Sequence, residues 1–154
     1  MIASKITFLK ETFPALLHTL DAQQKGVWGL MNAQQMVEHF AESIELAYGK
    51  IQFPALTAGE QQQKMYQFMM SDAPFRENTV NPHLPKEPVP ARTASMDEAI
   101  KKLTDTLFQF FAYYHENPGA KVENPFFGNL NFEEQVQLLH KHARHHLKQF
   151  GLLQ

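Results

Sequence analysis

The sequence predicts an all-α protein: a four-helix bundle with a short accessory helix and a long proline-rich crossover. Three observations carry that expectation. Apolar residues recur at helical spacing in four long segments, capping residues stand before the first turn of most helical segments, and no segment alternates apolar with polar residues as a half-buried strand does. With 154 residues, of which 44% are hydrophobic and 19% charged, the chain can bury a substantial core and reads as one domain over 1–154.

The first helix is expected from about Ile2 to Leu20, with Ile6, Leu9, Phe13, Leu16, Leu17 and Leu20 as its apolar side. Pro14 should kink or divide it, because proline has no N–H to donate and its ring meets the carbonyl four residues back. Asn32, with Gln35 three residues on, opens a second helix that runs to about Tyr48 and stops at Gly49. Thr57 with Glu60 opens the accessory helix, which reaches about Met70 and buries Met65, Phe68 and Met69. Pro74, Pro82, Pro85, Pro88 and Pro90 then make the stretch from about Pro74 to Ala94 irregular, a crossover of the kind that carries a chain from one end of a bundle to the other. Ser95 with Glu98 opens a long helix to about His115, whose Ile100, Leu103, Leu107, Phe110, Phe111 and Tyr114 form a broad apolar stripe. Asn131 with Glu134 opens the last helix, stopped at Gly151.

Charge and composition remove several function classes. Fourteen basic side chains are scattered among sixteen acidic ones, for a net charge of −2, so neither nucleic acid nor an anionic membrane is an expected partner. The absence of cysteine excludes disulfides, thiolate nucleophiles and thiolate metal sites, leaving nitrogen and oxygen ligands for any metal. Met1-Ile2-Ala3-Ser4-Lys5-Ile6 does not read as the start of a secretory signal, and no stretch approaches the ~20 apolar residues of a membrane span, so a cytoplasmic location is expected. Thirteen Phe and seven Met are abundant apolar bulk for a single bundle, and a homodimer is expected.

The histidines carry the chemistry. Four of the eight fall between His140 and His146 on the last helix. On a wheel at about 100° per residue, Phe132, Val136, Leu139, Ala143, Leu147 and Phe150 form the apolar stripe. His142 and His146 sit together on one flank, about 40° apart and one turn above each other, with Gln135 and Gln149 on the same side. Two imidazoles so placed can hold one metal ion. His145 points away from the stripe and His140 lies on its opposite flank, so neither joins the pair. His39, on the second helix beside Met36, Ser43 and Leu46, is the candidate third ligand. The residues alone leave a plainer reading open, in which the cluster is a solvated, weakly basic helix end complementing the dipole and His39 is a structural buried histidine. Solvated or capping roles suffice for His18, His83 and His115.

The segments Trp28-Gly29-Leu30-Met31-Asn32-Ala33-Gln34-Gln35-Met36-Val37-Glu38-His39-Phe40, Asn124-Pro125-Phe126-Phe127-Gly128-Asn129-Leu130 and Lys141-His142-Ala143-Arg144-His145-His146-Leu147-Lys148-Gln149-Phe150-Gly151 together resemble the DinB-like (YfiT-like) metalloenzyme superfamily. More narrowly they are similar to a bacterial branch ending in a HxxHHxxQFG motif. The likeness spans nearly the whole chain, and its specificity lies in the joint order and spacing. It implies a four-helix bundle that binds one divalent metal through a histidine on the second helix and a HxxxH pair on the last, here His39, His142 and His146. Two positions depart from the branch: Asn124, where relatives often have His, and Gln135, where they often have Trp.

The resemblance further implies, in some members, transfer of groups onto low-molecular-weight thiols or a thiol-dependent isomerisation; with a metal able to activate water or a thiol, the expectation here is a transferase or hydrolase acting on a small electrophile. Three neutral imidazoles leave a coordination position open, as catalytic sites do. Zinc or nickel is the expected ion, since a histidine-rich site accepts several metals. Glu38 and Glu42 flank His39 and are candidates to orient a ligand or take a proton. The alternative is a non-catalytic bundle that binds metal or a small ligand, because fold does not assign activity.

Overall fold

The structure is a computed structural model that describes residues 1–78 and 85–154; Pro82 and His83 of the expected crossover lie outside the described residues. It is mostly helical. The first helical stretch is made of α1 (Ile2–Thr7), a π-helical turn (Phe8–Thr12) and α2 (Phe13–Leu17), followed by α3 (Ala33–Ala47), α4 (Gly59–Met70), α5 (Met96–Glu116), strands β1 (Val122–Asn124) and β2 (Gly128–Leu130), and α6 (Phe132–Gln149).

The effect expected of Pro14 takes a definite form. Pro14 cannot donate to the carbonyl four residues back, and just before it the Phe13 N–H reaches to the Phe8 carbonyl, closing a wide turn instead of breaking the helix. The stretch ends at Leu17, three residues before the expected Leu20. Three of the four caps form. Asn32 and Gln35, and likewise Asn131 and Glu134, make reciprocal capping boxes, while Ser95 accepts from the Glu98 N–H. Gly49 and Gly151 take left-handed conformations just past the ends of α3 and α6.

Two expectations fail. Thr57 does not cap α4: its hydroxyl donates to the Phe126 carbonyl at 2.7 Å, and the helix starts at Gly59 without a side-chain cap. A tertiary bond to the hairpin wins over the local one. Strands do exist, as an antiparallel pair with Val122 opposite Leu130 and Asn124 opposite Gly128. Three residues per strand are too few to show a period of two, so the hairpin left no alternation to read. Its turn is held by the Asn124 side-chain oxygen, which accepts from the Phe126 and Phe127 N–H groups.

The main core gathers Leu9 and Phe13 from the first stretch, Met36, Phe40 and Ile44 from α3, Leu103 and Phe110 from α5, and Leu139 and Leu147 from α6. Within it α3 packs along α5, α1 lies against α6, and α3 also meets α6. A smaller core of Met69, Phe127 and Leu130 lies where α4 and the hairpin cover the other side of α6. Lys141 and Gln137 tie α4 down. The Lys141 ammonium donates to the carbonyls of Phe68, Ser71 and Ala73, and the Gln137 amide to that of Met69, satisfying groups that a helix end leaves free. No helix among the described residues is long and apolar enough to cross a membrane.

Candidate metal centre

Contact between α3 and α6 brings His39 against His142 and His146. The three offer ring nitrogens that all lie within 4.8 Å of one another. Both α6 rings stand edge-on to the His39 ring with centroids 5.3 Å away, and the His142 and His146 Nε2 atoms are 2.7 Å apart. His146 is buried, while His39 and His142 are partly accessible, so the cluster sits at an edge of the core rather than sealed within it. Phe40 packs on the His142 ring and supplies an apolar wall.

Gln149, one turn beyond His146, decides which nitrogen faces the cluster. Its amide N–H donates to the Trp28 carbonyl at 3.1 Å, so its oxygen is turned to His146 Nδ1 at 2.7 Å. Nδ1 must therefore carry the proton, and Nε2 presents a lone pair to the centre. His142 Nε2 can donate to that lone pair, so one hydrogen bridges two nitrogens that a tetrahedral ion would hold about 3.4 Å apart. The loop before α3 grips Gln149 as well. Val27 N–H donates to its carbonyl at 2.6 Å, and Gly29, at φ +81°, leaves room for its amide: a Cβ there would lie 2.7 Å from Gln149 Nε2.

The electrostatics favour neutral rings, which is the form a metal requires. Burial pushes His39 down to about 4, against a partly offsetting pull from Glu42. Burial also drives His142 and His146 well below the usual histidine range, reinforced at His142 by His146 and at His146 by His39.

The other candidates fall elsewhere. Glu38, 6% exposed, has both oxygens engaged at the far end of the crossover, where it accepts from the Arg92 and Thr93 N–H groups and from the Thr93 hydroxyl. Burial raises its pKa, but those bonds and the Arg92 charge outweigh it and hold the carboxyl below its ordinary value. Glu42 accepts from the Arg92 guanidinium at 2.5 Å. These carboxylates pin the chain beside His39, and neither belongs to the ligand cluster. His140 packs against Phe8, and His145 against Trp28 and Phe75, so both lie outside the cluster as the wheel indicates. His18 pairs with Asp97 at 3.6 Å, and His115 occupies the last turn of α5. Gln135 donates to the Val122 carbonyl, and its buried oxygen has no partner among the described residues.

Sequence reasoning put Gln149 on the correct flank without giving it a task. Its spacing of three from His146 on one helix was the available signal.

A family described as "Protein of unknown function (DUF1569)" matches residues 6–151, and the chain belongs to that family. No curated protein and no solved structure matches it.

Proposed function

We propose that this DUF1569 chain is a metalloprotein of DinB-like architecture, a cytoplasmic four-helix bundle that holds one divalent ion through His39, His142 and His146. The helices of the bundle are the Ile2–Leu17 stretch, α3, α5 and α6, with α4 as accessory. One observation carries the reading: three neutral imidazoles from two helices converge within 4.8 Å, and Gln149 fixes the protonation of one of them.

We take the reaction to be transfer or hydrolysis on a small electrophile. A zinc or nickel ion bound there supplies Lewis acidity and an open position for water or a small thiol. Because the chain has no cysteine, any thiol comes from a small molecule. The protein's own share is to orient the imidazoles, keep them neutral, and wall the site with Phe40.

A specific observation favours the second reading, a non-catalytic metal-binding protein: the nearest sequence candidates for a general base, Glu38 and Glu42, are engaged with the 92–93 backbone and with Arg92. Metal analysis of the purified chain, followed by a screen of thiol and electrophile pairs, tests both. Stoichiometric metal with metal-dependent turnover supports the enzyme, metal without turnover supports the binding protein, and a chain that binds no divalent ion refutes both.

A further inference from the structure

Beside the metal centre, α6, the Lys5 turn of α1 and residues 71–77 enclose a groove of about 270 Å³, at the small end of ligand pockets. Its charge is lopsided. Lys141, Arg144 and Lys148 come to it at successive turns of α6 and Lys5 faces them from α1, against the two carboxylates Asp72 and Glu77. Among the described residues none of these four cations forms an ion pair. Residues 79–84, next along the chain, contain no acidic side chain that could supply one.

The four are not equivalent. Lys141 is committed to the carbonyls of Phe68, Ser71 and Ala73, and Lys5 donates to the Gln137 side-chain oxygen. Arg144 and Lys148 have no such commitments among the described hydrogen bonds. They stand four apart on one helix face and so can converge on a single small anion, Arg144 with its planar fork and Lys148 with a point charge.

The groove also abuts the histidines. His145 and Phe75 form part of its wall, and their rings lie 5.3 Å from His146 and 6.3 Å from His142 respectively. We propose that this groove seats the anionic group, carboxylate or phosphate, of a small molecule, held chiefly by Arg144 and Lys148. The inference goes beyond the metal reading and does not require it, since the cations and the groove exist whether or not an ion binds next door.

The test is calorimetric titration of the full chain at low salt with succinate, inorganic phosphate and the neutral analogue succinamide. At least one anion should bind one per chain, more weakly as salt is added, while succinamide does not bind. Which anion binds distinguishes carboxylate from phosphate. The Arg144→Ala/Lys148→Ala variant should bind roughly tenfold or more weakly, as expected for lost charge-assisted bonds, while keeping its metal. His142→Ala should lose metal and keep the anion affinity. Failure of both anions to saturate, equal binding of succinamide, native affinity in the double variant, or loss of anion binding in His142→Ala would each overturn the groove assignment.

Discussion

Replacing Gln149 by Leu removes the amide while keeping an apolar side chain of similar bulk in a position only 4% exposed. One buried and one half-buried partner are then stranded: the His146 Nδ1–H, bonded at 2.7 Å, and the Trp28 carbonyl, bonded at 3.1 Å. An unsatisfied buried group costs ~1–3 kcal/mol and a half-buried carbonyl, which water can reach, costs less, so the fold should lose about 2–4 kcal/mol in total. Metal binding should suffer separately. Without its partner His146 is free to rotate and to change tautomer, and loss of such support for a ligating histidine lowers affinity by about 10–100-fold. Thermal melts in chelator isolate the first effect, and competition against a chromophoric chelator isolates the second. Gln149→Glu should fall between native and Leu, because a carboxylate still accepts from Nδ1–H although it cannot donate to Trp28. A Gln149→Leu protein that melts lower but binds metal with native affinity would refute the tautomer argument and reduce Gln149 to packing.

Three further outcomes are expected. Unfolded imidazoles titrate near 6.5, whereas burial depresses His39 to about 4 and holds His142 and His146 well below the ordinary histidine value; the unfolded chain therefore binds more protons below that value, and stability in chelator should fall as pH drops below about 6.5. Melting temperatures that stay level from neutral pH down to about 5 would contradict this. Glu38→Gln puts an amide N–H₂ against the Arg92 and Thr93 N–H groups and should cost about 2–3 kcal/mol in urea unfolding, with the end of the crossover near Arg92 becoming more open to protease; native stability would show that the clamp does not hold the crossover. The chain should sediment as a homodimer at micromolar concentration, and a clean species at the monomer mass of 17.7 kDa would rule that out.

What the sequence disclosed followed the range over which each interaction acts. Asn32, Ser95 and Asn131 could be read as caps because a cap is settled within four residues, and His142 with His146 because helical periodicity alone puts them on one flank. Thr57 misled for the opposite reason: its partner, Phe126, is far along the chain and belongs to a hairpin whose strands are too short to announce themselves. Glu38 was equally opaque, since a glutamate beside a candidate ligand looks the same in sequence whether it faces the site or binds a distant backbone. The wheel alone leaves His39 open between a ligand and a structural histidine, and the packing of α3 on α6 is what brings it to the pair.

Metal content per chain after identical dialysis, compared among the native protein and the single variants His39→Ala, His142→Ala, His146→Ala and His145→Ala, decides whether His39, His142 and His146 together hold the ion. Near-complete loss is expected in the first three, with the helical signal kept because apolar packing holds the fold, and native content in His145→Ala. Retention of metal by His39→Ala, or loss in His145→Ala as full as in His146→Ala, would contradict that assignment.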